Sequence, residues 1–453
     1  MDRFLAVDIG ASSGRHILGS LQDGKLVLEE IYRFPNLPQR AGDRLTWNAE
    51  RLFGEVLNGL KRAKELGKIP RTVGIDTWGV DYALVDKAGN LVGDVVSYRD
   101  LRTEAAVPEV HARVPFETLY EKTGIQFQTF NTIYQLWCDK KTGKLGKADA
   151  MLMLPDWLHF KLTGKKSREY TNATTTGMIN AHTRAWDREI VRELGYPETL
   201  FPEPTAPGTK LGGFSAEIAK LVGYSAEVVL PATHDTASAV VAAPFGGMFI
   251  SSGTWSLLGA ERNEPDTGEV CRRFNYSNEG TPTGVRLLKN IMGLWMIQQI
   301  RHETGDAYSF AQLEQMARNS VNGYTVNVDD VRFLSPASMR KEVEAAVGKE
   351  LETGEAAYCV LNSLALCYAK AVQEFETITG ERYPFINIIG GGCKNQLLNE
   401  LTAKATGKKI FTGPVEATAI GNLVVQMVSA GVFESVAAAR EIIKKSFETG
   451  VVE

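Results

Sequence analysis

The feature that most constrains this chain is the stretch Leu5-Ala6-Val7-Asp8-Ile9-Gly10-Ala11-Ser12-Ser13-Gly14-Arg15, an apolar run that ends in a carboxylate and a turn of glycines and hydroxyls. Phe4 to Ile9 reads as a short buried strand with Asp8 near its end. Backbone N–H groups of such a turn can point outward at phosphate oxygens, and Gly10 and Gly14 allow the positive φ angles it needs. The same residues also describe an ordinary hairpin, with a second apolar strand from His16 to Leu21. Phosphate loop and plain turn therefore both stand at this point. A third reading, the G-x-S-x-G elbow of serine hydrolases, requires a helix after the serine. Here Arg15–Leu21 reads as a strand running into the turn Asp23-Gly24, and the necessary later Asp-then-His order has no obvious candidate.

At 453 residues the chain has room for two large domains or three small ones. Its 44% hydrophobic and 23% charged residues are those of a globular protein. A formal charge of −4 leaves no footprint for nucleic acid. No apolar segment has membrane-spanning length, and the start Met1-Asp2-Arg3 is followed by too short an apolar run for a secretory signal, so a cytoplasmic protein is expected. Cys138, Cys271, Cys359, Cys367 and Cys393 are scattered, with no CxxC pair, which argues for a reducing compartment and against a disulfide framework. The histidines occur singly, without HExxH. Metal chemistry is thereby left to carboxylates and a hard ion such as Mg²⁺.

Three strands are expected at Phe4–Ile9, Arg15–Leu21 and Lys25–Phe34, forming a meander on one sheet. Leu52, Phe53, Val56, Leu57, Leu60 and Ala63 recur at helical spacing over residues 49–66, with Asn48 as cap and Gly67 and Pro70 as stops. Strands at Thr72–Trp78 and Tyr82–Val85 follow. Helices are expected around Phe116–Lys122, Asn131–Cys138 and Pro155–Leu162, elaborating a first domain. The run Ala237–Ala243, then Pro244 and Gly246-Gly247, places a boundary near residue 244 and predicts domains 1–244 and 245–453. Met248–Gly259 then repeats the opening design of strand, Ser/Gly/Thr turn and strand, so the second half restarts the first. Residues 261–284 read as a polar surface excursion. Leu287–Ile300 and Ala356–Ile378 read as helices, Phe385–Ile389 as a buried strand running into Gly390-Gly391-Gly392, and Ala417–Ala430 as a last amphipathic helix.

Four glycine-bearing turns thus follow four apolar strands: Gly10–Gly14, Trp78–Asp81, Gly253–Thr254 and Gly390–Gly392. In open α/β sheets ligands bind beyond the carboxyl ends of strands, so the four turns suggest one shared cleft. Thr233-His234-Asp235-Thr236 precedes a helix of small residues. Asp235 is there either a plain N-cap or a carboxylate directed at a ligand as a base, in a place where the positive helix end also favours a phosphoryl group. The second arrangement suits phosphoryl transfer, in which a protein positions reactants and neutralises charge.

These turns, in this order, resemble the five motifs of the actin, Hsp70 and sugar-kinase superfamily. Leu5–Arg15 matches its first phosphate loop, Gly74–Asp81 the first connecting segment, Ile250–Gly259 the second phosphate loop, Ile386–Asn395 the adenosine loop and Val415–Asn422 the second connecting segment. More narrowly, the chain is similar to the FGGY carbohydrate kinases, in particular the branch that acts on L-rhamnulose. The strings carrying that match are Asp8–Arg15, Ile75–Asp81, Glu169–Thr176, His234–Ala239, Ser251–Ser256, Lys289–Trp295 and Gly390–Cys393. The resemblance implies an α/β fold of two ribonuclease-H-like domains around an interdomain cleft. It implies transfer of the ATP γ-phosphoryl group to the O1 hydroxyl of L-rhamnulose, with no obligate protein partner. Ala11, Ser12, Ser13, Gly14, Arg15, Thr254, Gln298 and Gly391 would contact ATP; Gly79, His234, Asp235, Thr236 and Asn290 would contact the sugar. Asp235 would accept the proton, and Asp8 would help to hold Mg²⁺ through water. From the residues alone, Asn290 and Gln298 read as exposed or locally hydrogen-bonded polar positions in or beside an apolar helix, and Trp78 as a core residue more than a sugar platform. The chain departs from the broad family at Tyr134-Gln135-Leu136-Trp137, where a Lys is usual shortly before the Trp, and it ends soon after Phe447. A different ketose, L-fuculose or L-xylulose, and a nucleotide-gated interaction protein like actin or Hsp70 remain the alternative readings.

Overall fold

The computed structural model describes residues 2–453. The meander forms as expected: Phe4–Ile9, Ser13–Gln22 and Lys25–Pro35 pair antiparallel in sequence. The strand after Gly14 rules out the hydrolase elbow, since no helix follows the serine. Asn48 caps the helix Ala49–Glu65 by accepting from the Arg51 N–H, and the buried face carries Leu52, Phe53, Val56, Leu60 and Ala63. That helix lets the chain return in the same direction, and Thr72–Thr77 then lies parallel to Phe4–Ile9. Glu227–Val229 adds in parallel and Lys210–Gly213 closes the edge antiparallel, giving six strands.

The chain divides into two compact units. The first comprises the chain up to Ala242 together with Arg262–Leu287 and Thr418–Ser446; the second comprises Ala243–Glu261, Leu288–Ala417 and Phe447–Glu453. Within the first, residues 82–201 build a core of their own around Leu136, Trp137, Met151, Trp186 and Phe201. The second unit uses the same strand grammar as the first. Met248–Ser252 pairs antiparallel with Trp255–Arg262 and parallel with Phe385–Ile389, which pairs parallel with Lys409–Thr412, and Gly450–Val452 closes antiparallel. The restart at Met248 is therefore a repeat of topology as well as of sequence.

Three sequence expectations are corrected. Leu287–Ile300 is not one helix: Val285–Met292 is a strand and Trp295–Glu303 a helix, separated at Gly293, where a Cβ would lie 2.6 Å from the Trp255 carbonyl carbon. Apolar residues on both sides of Gly293 blend the two elements into one helix-like pattern. Residues 261–284 are a surface excursion only in their first part: residues 261–270 are exposed or half-buried, whereas Tyr276, Ser277, Asn278, Glu279 and Thr281 are buried. Their polar groups are satisfied inside the fold, as where Asn278 Nδ2 donates to the Gly124 carbonyl and Gly280 N–H donates to Thr174 Oγ1. The helix near 417–430 is found as Ala417–Ser429 but is not the last, because Val436–Ser446 and the strand Gly450–Val452 follow it. All five cysteines are free. Among the described residues no helix is long and apolar enough to cross a membrane.

Ala417–Ser429 packs directly on the helix Asp235–Val241. A Cβ at Gly421 would lie 1.7 Å from the Ser238 carbonyl oxygen, a contact that only glycine allows without displacing backbone. Gly421→Ala should therefore lower stability by about 3 kcal/mol, measured as a drop in the thermal unfolding midpoint; an unchanged midpoint would contradict this close approach.

Candidate active site

Asp8 and Asp76 are register partners on the adjacent parallel strands Phe4–Ile9 and Thr72–Thr77. Strand pairing therefore sets two carboxylates side by side on one face. Asp8 is held by Arg15, its partner on the next strand, whose Nε and Nη2 donate to Asp8 Oδ2 at 3.0 and 2.9 Å. Asp76 is fully buried. Its Oδ2 accepts from Asn422 Nδ2, while its Oδ1 has no hydrogen-bond partner. Burial, and next the charge of Asp8, push the Asp76 carboxyl well above its usual range. Sequence reading passed over Asp76 because it lies inside a strand, where a carboxylate reads as a surface position.

The loop between the first two strands is a tight hairpin turn. Gly10 N–H donates to the Ser13 carbonyl at 2.9 Å, and Asn36 clamps the loop by donating from N–H to Ser12 O and from Nδ2 to Gly10 O. Neither Gly10 nor Gly14 adopts the positive φ expected of the turn; Gly14 is instead required by packing, since a Cβ there would fall 2.1 Å from the Phe34 ring. The hairpin reading of this stretch holds, and Ala11, Ser12 and Ser13 are at least partly exposed at its tip.

A parallel bridge continues the sheet edge from Thr77 to His234, with Thr77 N–H donating to the Thr233 carbonyl. Asp235 then opens the helix Asp235–Val241, whose N-cap position belongs to His234 and carries no side-chain capping bond. Asp235 Oδ1 instead accepts from Thr236 N–H and from Thr236 Oγ1. The plain N-cap reading of Asp235 is thus not what the structure shows. Its side chain is 28% exposed. Burial foremost, and the charge of Asp8, push its carboxyl up, against the lowering effects of His234 and Thr236. Asp8, Asp76 and Asp235 therefore act on one another electrostatically across neighbouring strand ends.

Glu169 ties this segment down. Its buried carboxylate accepts from Thr171 N–H and Oγ1, Asn172 N–H, and Thr233 N–H and Oγ1. The turn after Thr77 is built as tightly. Gly79 is buried against Thr175, whose Oγ1 accepts from Val80 N–H, and Val80 is held at φ 66°, a costly conformation for a β-branched residue. Asp81 accepts from Trp47 Nε1, Trp78 Nε1, Tyr98 N–H and Gln135 Nε2, and burial raises its carboxyl to about 6. Trp78 is a buried residue packed against Trp47, with ring centroids 4.3 Å apart and planes tilted by 43°. Gln135, at the family departure noted above, also donates to the Val80 carbonyl, so it supports this turn. Sequence reading missed Trp47 because its strand, Arg44–Trp47, is short and lies in a polar stretch.

In the second unit Thr254, Gln298 and Gly391 gather around one turn. Leu294 and Trp295 donate their N–H groups to the carbonyls of Gly253 and Thr254, which starts the helix carrying Gln298. Gly390, at φ 84°, and Gly392 lie against Ser252; a Cβ on Gly392 would fall 1.9 Å from Ser252 Oγ, and Gly391 is left exposed. Asn290 is a half-buried residue of the strand Val285–Met292 rather than of a helix. Among the described residues no group of three or more His, Cys, Asp or Glu side chains is placed to hold a metal ion by itself.

Two family models match the chain: the N-terminal domain of the FGGY family of carbohydrate kinases over residues 3–242 and its C-terminal domain over residues 248–430. The chain belongs to this family, and it has the family's two-domain α/β fold. Within the family it is similar over its whole length to rhamnulokinases. It is 47% identical to that of Halalkalibacterium halodurans, covering 99% of this chain and 98% of the relative, and 45% identical to that of Oceanobacillus iheyensis, covering 98% and 97%. The ligand-bound xylulose kinase of Lactobacillus acidophilus has the same fold, with a TM-score of 0.82 at 16% identity over 100% of this chain and 94% of that one.

Removing the Glu169 carboxylate leaves five buried donors without an acceptor. Glu169→Ala should cost about 3 kcal/mol, read as a lower denaturant midpoint. A variant as stable as the parent would show that the 171–173 and 233–236 segments are held in some other way.

Proposed function

We propose that this chain is an ATP-dependent kinase that phosphorylates L-rhamnulose at O1, serving L-rhamnose degradation in the cytoplasm. The observation that carries the reading is the full-length similarity to rhamnulokinases at 47% and 45% identity. Sugar binding and the first phosphate loop are assigned to residues 1–244, and nucleotide binding to residues 245–453.

Asp235 accepts the proton of the sugar's primary hydroxyl as that oxygen attacks the γ-phosphorus. Its position supports the role: the carboxylate is partly open, oriented by Thr236, and more basic than a free aspartate because it is buried beside Asp8. His234, Thr236 and Gly79 orient the ketose from the same sheet edge, with Asn290 contributing from the strand Val285–Met292. Ala11–Arg15, Thr254, Gln298 and Gly391 are assigned to ATP. Arg15 first serves Asp8, and through that ion pair it keeps the carboxylate fixed.

Mg²⁺ fits the donors present. The oxygens of Asp8 and Asp76 are hard ligands, and the buried Oδ1 of Asp76 has no hydrogen-bond partner, so a cation beside it would supply one and draw the carboxyl to its ionised form. With no complete protein cage, Asp8 would hold the ion through water. When bound, the ion neutralises charge on the transferring group.

Asp235→Asn should cut kcat by about 10³-fold with ATP binding largely retained, measured by coupled ADP release and nucleotide titration; near-normal turnover would remove the base assignment. A panel of ketoses and polyols with Mg²⁺-ATP tests the substrate. L-Rhamnulose should give the highest kcat/KM. A preference for L-fuculose or L-xylulose would move the enzyme to that sugar, and ADP release indifferent to any sugar would point to a nucleotide-gated protein.

A further inference from the structure

Behind His234 lies a buried ion pair to which no role has been assigned. Arg286, fully buried on the strand Val285–Met292, donates from Nη2 to Glu279 Oε2 at 2.7 Å. The same Nη2 lies 2.5 Å from His234 Nδ1, while Glu279 Oε2 is farther from that nitrogen, at 3.3 Å. The second ring nitrogen, Nε2, faces Asp235 Oδ1 at 3.5 Å.

A guanidinium has only donors. Its close approach to Nδ1 therefore requires that nitrogen to be a bare acceptor, because a proton there would meet an Arg N–H head on. We propose that Arg286, oriented by Glu279, fixes His234 as the neutral tautomer protonated at Nε2, so that the ring presents an N–H donor beside the Asp235 carboxylate. At 3.5 Å from Asp235 this donor is too far for a full hydrogen bond. It is left for an acceptor atom that enters next to the base, such as a hydroxyl or carbonyl oxygen of a polyol or ketose. Glu279 is buried and kept ionised by Arg286, so the pair is neutral overall and imposes no charge on the ring. The ionisable groups around the device are Asp235 on its own element, Glu279 on Ser277–Gly280, Arg286, and Tyr170 on the helix Tyr170–Ala173, which interacts with Arg286. Arg286 and Glu279 are positioning residues, since neither touches the reacting atoms. The tautomer follows from the geometry alone, whereas its service to the sugar rests on the function proposed above.

Nitrogen-15 spectra of the histidines in the full chain, with His234 assigned by the signal lost in His234→Gln, report which ring nitrogen carries the proton. The parent should show a protonated Nε2 and a bare Nδ1. In Arg286→Met the Glu279 carboxylate becomes the neighbour of Nδ1, and the proton should move there. If that variant fails to fold because Glu279 is left unpaired, Arg286→Met/Glu279→Leu removes both charges, and the ring should become a mixture of tautomers. A parent ring protonated at Nδ1, or a variant ring unchanged from the parent, overturns the proposal. In Arg286→Met the KM for the ketose should rise about tenfold, the value of one hydrogen bond, and in the double variant about twofold, as for a donor present in half of the molecules, with the KM for ATP unchanged in both. An unchanged ketose KM beside an altered tautomer overturns the role in sugar binding. A parent that phosphorylates no ketose strikes at the proposed function instead, and the spectra still decide the tautomer.

Discussion

The candidate site depends on one pairing, the parallel register of Phe4–Ile9 with Thr72–Thr77. It sets Asp8 beside Asp76, and the bridge from Thr77 to His234 carries the same edge onward to Asp235. Parallel neighbours end on the same side of a sheet, so residues separated by well over two hundred positions in the chain present their groups together. The helix Ala49–Glu65 makes this possible by returning the chain to the starting edge.

Holding carboxylates so close has a cost, and the surrounding residues offset it in different ways. Asp8 is neutralised by Arg15, Asp76 is hydrogen-bonded by Asn422 on one oxygen only, and Asp235 takes two bonds from Thr236. Behind Asn422, Gln426 donates to its Oδ1 and to the Leu5 carbonyl and accepts from Thr72, so the helix Ala417–Ser429 is locked to both central strands. A satisfied buried network of this kind specifies one arrangement, because any slip would strand polar groups away from water. The same principle governs Glu169 and Asp81, each accepting several donors from segments distant in sequence. Buried acceptors thus tie together the segments that meet at the sheet edge.

The glycines held by their surroundings divide by cause. Gly14, Gly392 and Gly421 are required by close approach, to Phe34, Ser252 and Ser238 respectively, and Gly390 by its positive φ. A sequence shows these glycines without saying which demand each one answers. At Val80 the chain uses a strained non-glycine residue, held by Thr175, Thr132 and Gln135.

Strands with strong apolar patterns were legible from residues alone, as were the Asn48 cap, the restart at Met248 and the strings carrying the family resemblance, including Asp8 and His234-Asp235-Thr236. Local chemistry determines such features, because apolar runs and Gly-Ser turns act over a few neighbouring residues. Only the tertiary structure decided that Asp76 stands next to Asp8, that Asn290 belongs to a strand, and that the polar stretch around Glu279 is interior. Trp47, Glu169 and Arg286 became visible in the same way, through partners distant in the chain. Polarity in a sequence reads as exposure, whereas burial of a polar group depends on partners supplied from far along the chain, and those exist only once the sheet has closed its register.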